Sequence, residues 1–269
     1  MASSTKIISE PLPQEMQQHT YSIMYQLEGA HWWFVGRRRI IERFLEPLCQ
    51  KLKADHELAA QSEVAIKILD IGCGTGANLE MLSRFGDAEG VDVSAEALAF
   101  CRERGLAKVR LGEAEHLPWA DGSFDLVTGL DVVEHLDDDV AGLKEMRRVL
   151  RPGGYAFLFV PAFMFLWGVQ DDVSHHRRRY TRKGLQQAAR AAGFAIERVS
   201  YANLIFFPLV FGGRLFMRLT RIRPKSENNI NIKALNGLFG RIFGAEGSIL
   251  RHVNLPFGVS AVCVLRRVE

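Results

Sequence analysis

The sequence predicts an α/β fold: a seven-stranded, mostly parallel sheet with helices on both faces. Three observations predict it. From residue 64 onward, short β-branched runs alternate with stretches of helical periodicity. A glycine-rich turn, Gly72-Cys73-Gly74-Thr75-Gly76, joins the first of these strands to the helix after it. The chain has 269 residues and is 48% hydrophobic, enough for one sizeable core.

Residues 1–20 are polar with two prolines and read as a loose arm. Residues 21–53 read as helical, because Ile40, Ile41, Phe44, Leu45 and Leu48 recur at helical spacing, while Arg37, Arg38, Arg39, Glu42 and Arg43 lie mostly on other faces. The aromatic segment His31-Trp32-Trp33-Phe34 precedes that periodic run, and 54–63 is a polar connector. Strands are predicted over 65–70, 88–93, 108–111, 124–130, 155–160, 194–200 and 259–267. Helices are predicted over 78–84, 95–104 with Ser94 as N-cap, 138–150, and 181–192 stopped by Gly193. Arg151-Pro152-Gly153-Gly154 reads as a turn before the fifth strand. The stretch between the last two strands is too long for a plain loop and is predicted as a helical insertion over the mouth of the site.

The glycine turn carries the main chemical signal. Glycines turn the backbone sharply and admit a ligand close to the main chain. Asp92 ends the next strand about 20 residues beyond Gly72, where an acid holds a ribose hydroxyl in nucleotide-binding βαβ units. A dinucleotide site uses G-x-G-x-x-G; here the spacing is the tighter G-x-G-x-G.

That tighter turn resembles the class I S-adenosylmethionine-dependent methyltransferases. Gly112-Glu113-Ala114-Glu115-His116-Leu117-Pro118-Trp119, Asp121-Gly122-Ser123-Phe124-Asp125 and the Arg151–Gly154 run are similar to the small-molecule branch of that family. The resemblance covers roughly residues 64–160. It implies a Rossmann-like fold and S-adenosyl-L-methionine as cofactor, bound by Asp70, Gly72, Cys73, Gly74, Gly76, Asp92, Val93 and the Ala114 backbone. Glu113 would meet the adenine amino group, although the family more often has Asp there. Glu115 and Asp121 read as turn and surface residues. Glu28 through Arg38 resembles the opening of a bacterial methyltransferase subgroup associated with glycan and lipid biosynthesis. There an N-terminal helix would close over the cofactor, Trp33 would pack on it, Arg37 would pair with its carboxylate, and His31 would face the substrate.

Asp131-Val132-Val133-Glu134-His135 follows the fourth strand, at the sheet edge where α/β proteins bind ligands. On a helical turn, Asp131, Glu134 and His135 would share a face. His135, His176 and Asp131 are the candidate catalytic residues, with His135 the first choice of general base by the ordinary imidazole pKa. Ser174-His175-His176-Arg177-Arg178-Arg179-Tyr180 follows the fifth strand. Its three arginines suit a phosphate or diphosphate gripped bidentately, unless one pairs with Asp171 or Asp172. Glu134, His175, Tyr180 and Tyr201 complete the expected substrate-binding set. Asp131, Glu134, His135 and His176 also resemble the metal-binding set of the small-RNA 3′-terminal 2′-O-methyltransferases, which implies Mg2+ as a further cofactor. The first position here is Asp rather than Glu, and the RNA-binding parts are not evident. The reading without a metal assigns no metal ligands and has His176 act directly.

Composition narrows the partners. A net charge of +3 gives no global nucleic-acid signature. Residues 202–252 hold eight Lys or Arg against two acids and are rich in Phe and Leu. Such a segment suits an anionic lipid surface, a solvated helical cap or a homodimer face. The four cysteines are scattered, which suits reduced thiols and no disulfide framework. With no apolar leader in the first residues and no apolar run long enough to span a bilayer, the expected location is the cytoplasm, with peripheral membrane contact. The expected divisions are an arm and helical lid (1–63), a core (64–201), a helical substrate cap (202–258) and the last core strand (259–269). The expected activity is methyl transfer to oxygen or carbon of a small-molecule or lipid-like acceptor, including phosphate-bearing ones. The alternatives are an RNA 2′-O-methyltransferase-like enzyme with a metal-assisted site and a glycan-modifying methyltransferase. A non-catalytic module that only keeps the cofactor pocket would show a damaged glycine turn or lack Asp92, and neither is seen.

Overall fold

The computed structural model describes residues 19–60, 65–220 and 233–269. The predicted N-terminal arm up to residue 18, and Arg221, Arg223, Lys225 and Glu227 of the basic segment, lie outside the described residues.

Seven strands form one sheet: β1 (Lys67–Ile71), β2 (Asp87–Asp92), β3 (Val109–Leu111), β4 (Phe124–Leu130), β5 (Leu150–Pro161), β6 (Ala195–Ala202) and β7 (Ser260–Arg266). Their order is β3-β2-β1-β4-β5-β7-β6, with β7 antiparallel to both β5 and β6. β4 is buried along its whole length, as a strand covered on both faces must be. The helices are α1 (His19–Leu27), α2 (Trp32–Ala60), α3 (Ala77–Leu82), α4 (Ala95–Glu103), α5 (Asp139–Val149), α6 (Val169–Val173), α7 (Arg182–Ala191), α8 (Phe207–Thr220) and α9 (Asn236–Leu250). Side-chain N-caps start three of them: Ser94 accepts from the Ala97 N–H, Asp138 from Ala141 and Thr181 from Gly184.

Three predicted elements change. The single helix over 21–53 is two helices, broken at Glu28–His31, and Trp32–Phe34 begin the second rather than precede it. Helix α2 is part of the core: Ile40, Ile41, Leu45 and Leu52 are fully buried in the same cluster as the sheet. The Arg151–Gly154 turn is absorbed into β5, which starts at Leu150 opposite Phe124. The extra residues are taken up as a register shift, with Gly153 at φ 83°.

The long insertion folds as α8 and α9. α9 packs closely on α2, where a Cβ on Gly36 would sit 2.5 Å from the Phe243 ring. Glu246 fastens the start of the insertion. Its buried carboxylate accepts from the Asn203 and Leu204 N–H groups, and Asn203 is left-handed at φ 63°. Burial raises the Glu246 pKa and these hydrogen bonds oppose the rise.

Candidate active site

The chain crosses over between β1 and β4, so the sheet has its switch point there and opens a crevice at the carboxyl ends of those strands. A cavity of about 700 Å3 occupies this crevice. One half is walled by the glycine turn, Asp92, Val93, Gly112, Ala114 and Glu115. The other half is walled by Asp131, His135, His176 and apolar residues of α2, α8 and α9.

The turn has the backbone that its sequence demands. Gly72, Gly74 and Gly76 all have positive φ (66°, 52° and 92°), and a Cβ on Gly72 would sit 2.5 Å from Val132. Asp92 organises it: one carboxylate oxygen accepts from the Gly74 N–H at 2.8 Å and the other from Ser94 at 2.9 Å. Asp70 and Gly76, expected at the ligand, stand behind the cavity wall. Gly76 starts α3, where a Cβ would press on Leu106 and Cys101. Asp70 is buried and accepts from Thr128 at 2.6 Å; burial pushes its pKa up to about 7. Glu113 is also displaced. Its carboxylate turns toward His116 at 3.8 Å, and the residue reaching the cavity is Glu115, which the sequence had assigned to the surface. Burial raises the Glu115 pKa.

Helix α1 is fastened over this half by contacts the sequence did not reveal. Glu28 accepts from Thr75 Oγ1 in the glycine turn and from Arg104 at 2.6 Å, and the Arg104 guanidinium lies 4.5 Å above the Tyr25 ring. His31, Trp32 and Trp33 all border the cavity. His31 is buried, and its Nδ1 accepts from the Trp33 N–H at 3.3 Å. That bond places the ring proton on Nε2, which has no partner among the described residues. Burial lowers the His31 pKa, which keeps the ring neutral.

In the second half, Asp131 takes a left-handed backbone, φ 58°, at the end of β4. Its carboxylate is ion-paired with Arg37, which was expected to meet the cofactor carboxylate instead. Both residues line the cavity. Val133–His135 forms a 3-10 turn rather than an α-helical turn, and Asp131 stands outside it with its left-handed backbone. Glu134 is completely buried and neither of its oxygens has a hydrogen-bond partner among the described residues. Burial, reinforced by Asp131, drives its pKa well above the carboxylate range. His135 and His176 meet edge to face with ring centroids 4.6 Å apart. Burial, then the His176 charge, brings the His135 pKa down to about 3, so it is a neutral ring and a weak base. That argues against the first choice of general base. His176 donates from Nδ1 to Asp171 at 2.8 Å and directs Nε2 at Glu134, 3.9 Å away.

The arginine run does not form the expected anion grip. Arg179 makes a bidentate pair with Asp171, 2.7 and 2.9 Å, the intramolecular pairing weighed against the phosphate idea. Arg178 donates to the Leu136 and Asp137 carbonyls, pairs with Asp139 and does not reach the cavity. Arg177 lines the cavity, but its guanidinium binds the His135 carbonyl and Asp137. Arg177 and Arg178 therefore pin segment 171–180 to the loop after β4, while Arg179 ties it to the Ala162 carbonyl after β5. His175, left-handed at φ 55°, does line the cavity. Tyr180 and Tyr201 do not. The Tyr180 hydroxyl donates to Asp139 at 2.7 Å, and the Tyr201 hydroxyl accepts from the Arg182 N–H at 3.1 Å. The sequence missed Arg214, whose buried guanidinium reaches from α8 to the Leu166 carbonyl and lies 3.7 Å from Asp171. An arginine flanked on both sides by the apolar residues of α8 was the available signal.

Residues 69–158 match the family described as a methyltransferase domain. Among curated relatives, the chain is 35% identical over 158 residues to a fatty-acid O-methyltransferase of Mycolicibacterium smegmatis, 55% of each chain. It is 33% identical over 144 residues to a ubiquinone biosynthesis O-methyltransferase of Parvibaculum lavamentivorans, 48% of this chain and 57% of that one. The chain thus spans about half the length of the curated relatives it matches. Among solved structures, a SAM-dependent methyltransferase of Thermotoga maritima shares the fold over 93% of this chain and 95% of its own, with TM-score 0.55 and 19% identity. Haemonchus contortus phosphoethanolamine N-methyltransferase 2, solved with S-adenosyl-L-methionine, matches 82% of this chain and 53% of its own, with TM-score 0.51 and 18% identity.

Proposed function

We propose, on the premise that residues 69–158 are a class I S-adenosylmethionine-dependent methyltransferase domain, that the protein methylates an oxygen of a small, largely apolar acceptor. One observation carries this reading: the glycine-turn pocket and the Asp131–His135–His176 region share a single cavity whose remaining wall is mostly apolar. S-adenosyl-L-methionine would lie along the glycine turn, with its ribose hydroxyls toward Asp92 and its adenine against Ala114 and Glu115. Its methyl group would then face the end of β4.

In the reaction, the acceptor oxygen attacks the sulfonium methyl in line. A C–O bond forms as the C–S bond breaks, S-adenosylhomocysteine leaves as a neutral thioether, and the hydroxyl proton is released. The protein's main contribution is proximity and alignment. His176 is the residue we assign to activating the acceptor, with Asp131 and His135 beside it at the cavity wall, and His31 Nε2–H is a further donor to a bound ligand. With Arg177, Arg178 and Arg179 engaged internally, we read the acceptor's reactive end as a hydroxyl or carboxyl rather than a diphosphate. The relatives named for fatty-acid and ubiquinone-pathway O-methylation support an apolar acceptor of that kind. No helix among the described residues is long and apolar enough to cross a membrane. Exposed Leu209, Leu215, Phe216 and Leu219 on α8 support peripheral contact with a lipid surface beside the cavity mouth.

The test is incubation with methyl-labelled S-adenosyl-L-methionine and parallel panels of fatty acids, quinols, prenyl diphosphates and transfer RNA. Label is expected in an apolar acid or quinol. Label only in RNA or only in diphosphates would overturn the acceptor assignment.

A further inference from the structure

We infer that Glu134, His135 and His176 form a binding site for a divalent transition-metal ion of the zinc, iron or manganese class, beside the position of the acceptor oxygen. This deepens the proposed function and rests on its placement of the acceptor.

The geometry is that of a ligand set. Each of the three side chains offers a donor atom, and these atoms lie within 4.8 Å of one another. His176 Nε2 and Glu134 Oε1 are 3.9 Å apart. Metal–ligand bonds of about 2.0–2.2 Å put neighbouring ligands roughly 3–3.5 Å apart, so closure needs the donors to approach by about 2 Å at most.

A second observation points to a ligand independently. The Glu134 carboxylate is fully buried, and neither oxygen has a hydrogen-bond partner among the described residues. Buried carboxylates are ordinarily paired, because an unpaired one costs several kcal/mol (roughly) in desolvation.

The surroundings also suit a metal. His176 Nδ1 is held by Asp171, and His135 is hydrogen-bonded to the Ser174 backbone. Fixing His176 Nδ1 in this way orients its Nε2 toward Glu134 and an ion between them. Asp171 is itself locked by Arg179. His135 and His176 both line the cavity, so positions facing the cavity would stay open to water or to an acceptor. The donor set differs from the four-residue set expected by resemblance, because Arg37 holds Asp131 aside. It also argues against Mg2+, which prefers octahedral oxygen ligands, whereas two imidazoles and one carboxylate suit later transition metals. A divalent cation there would polarise an acceptor hydroxyl and favour release of its proton.

The experiment is titration of chelator-treated protein with Co2+, followed by visible absorption, with Zn2+ and Mg2+ as competitors. A saturable Co2+ band is expected that Zn2+ abolishes and excess Mg2+ does not. Glu134→Gln and His176→Asn should each weaken Co2+ binding at least ~100-fold, while His116→Gln, at an exposed histidine, should leave it unchanged. Native mass spectrometry of the wild type with Zn2+ gives a readout that does not depend on how the variants fold. Absence of a bound ion there, or a Co2+ band retained in both variants, would overturn the proposal. S-adenosylhomocysteine binding is measured on the same chelator-treated samples. If it binds while no metal does, the methyltransferase reading stands and the metal site falls. Metal binding without it would do the reverse.

Discussion

His176 donates from Nδ1 to the buried carboxylate of Asp171 at 2.8 Å, and the same carboxylate receives two bonds from Arg179. One acid thus fixes the orientation of a cavity imidazole and neutralises a buried guanidinium. The hydrogen bonds and the Arg179 charge outweigh burial and hold the Asp171 carboxyl below the usual range.

Replacing Asp171 by Asn should break the bidentate pair and leave Arg179 uncompensated. The expected loss of unfolding free energy in urea is about 3–5 kcal/mol. S-adenosylhomocysteine affinity should change little, since the Asp171 carboxylate is bonded to His176 and Arg179 rather than to the glycine turn. A loss of cofactor affinity larger than the loss of stability would show that this network also shapes the donor site.

Arg104→Met should loosen α1. Glu28 would keep Thr75 but lose its ion pair, and the closed arrangement of α1 over the turn would be less populated. Because apparent affinity scales with the competent fraction, S-adenosylhomocysteine should dissociate about 10-fold faster in stopped flow. An unchanged rate would mean that α1 does not retain the cofactor.

Asp70 predicts a pH dependence. Burial raises its pKa to about 7 in the folded protein, against roughly 3.9 when unfolded. Between those values the unfolded chain has released the proton and the folded one has not. Rising pH therefore favours unfolding from about 4 to about 7, after which the loss levels off. Urea unfolding of Asp70→Asn across this range should lack that slope. A variant with the wild-type slope would assign it to other groups.

Glu246→Ala would strand the buried Asn203 N–H and the partly buried Leu204 N–H. Each orphaned donor costs about 1–3 kcal/mol, so the cap should open locally before the sheet does. Hydrogen exchange at these two amides should accelerate far more than at the β4 amides. Uniform acceleration across both would mean the cap and core unfold as one unit.

The parts legible in the sequence were the ones set by local chemistry. Glycines at φ 66°, 52° and 92°, and the acid that receives the Gly74 N–H, are fixed by spacing within one βαβ unit. The long-range pairings were not legible. Arg37 meets Asp131 across 94 positions and Arg104 meets Glu28 across 76, and nothing in either neighbourhood names the partner. Arg177, Arg178 and Arg179 read as an anion grip because a charge run looks the same whether its partners are ligands or carbonyls. The Glu28–His31 break was hidden because helical periodicity resumes on its far side, with Gly29 the only local cue. The Arg151–Gly154 turn signal was overridden by pairing of Leu150 with Phe124, a tertiary contact.

The most direct test of the cofactor pocket is calorimetry of S-adenosylhomocysteine with the wild type and with Asp92→Ala, with melting temperatures recorded on the same samples. Asp92 both ties Gly74 and Ser94 into the turn and faces the cavity. Saturable binding by the wild type is predicted, with at least ~100-fold weaker binding by a folded Asp92→Ala, corresponding to two lost charged hydrogen bonds. No binding by the wild type, or equal binding by the folded variant, would contradict the account.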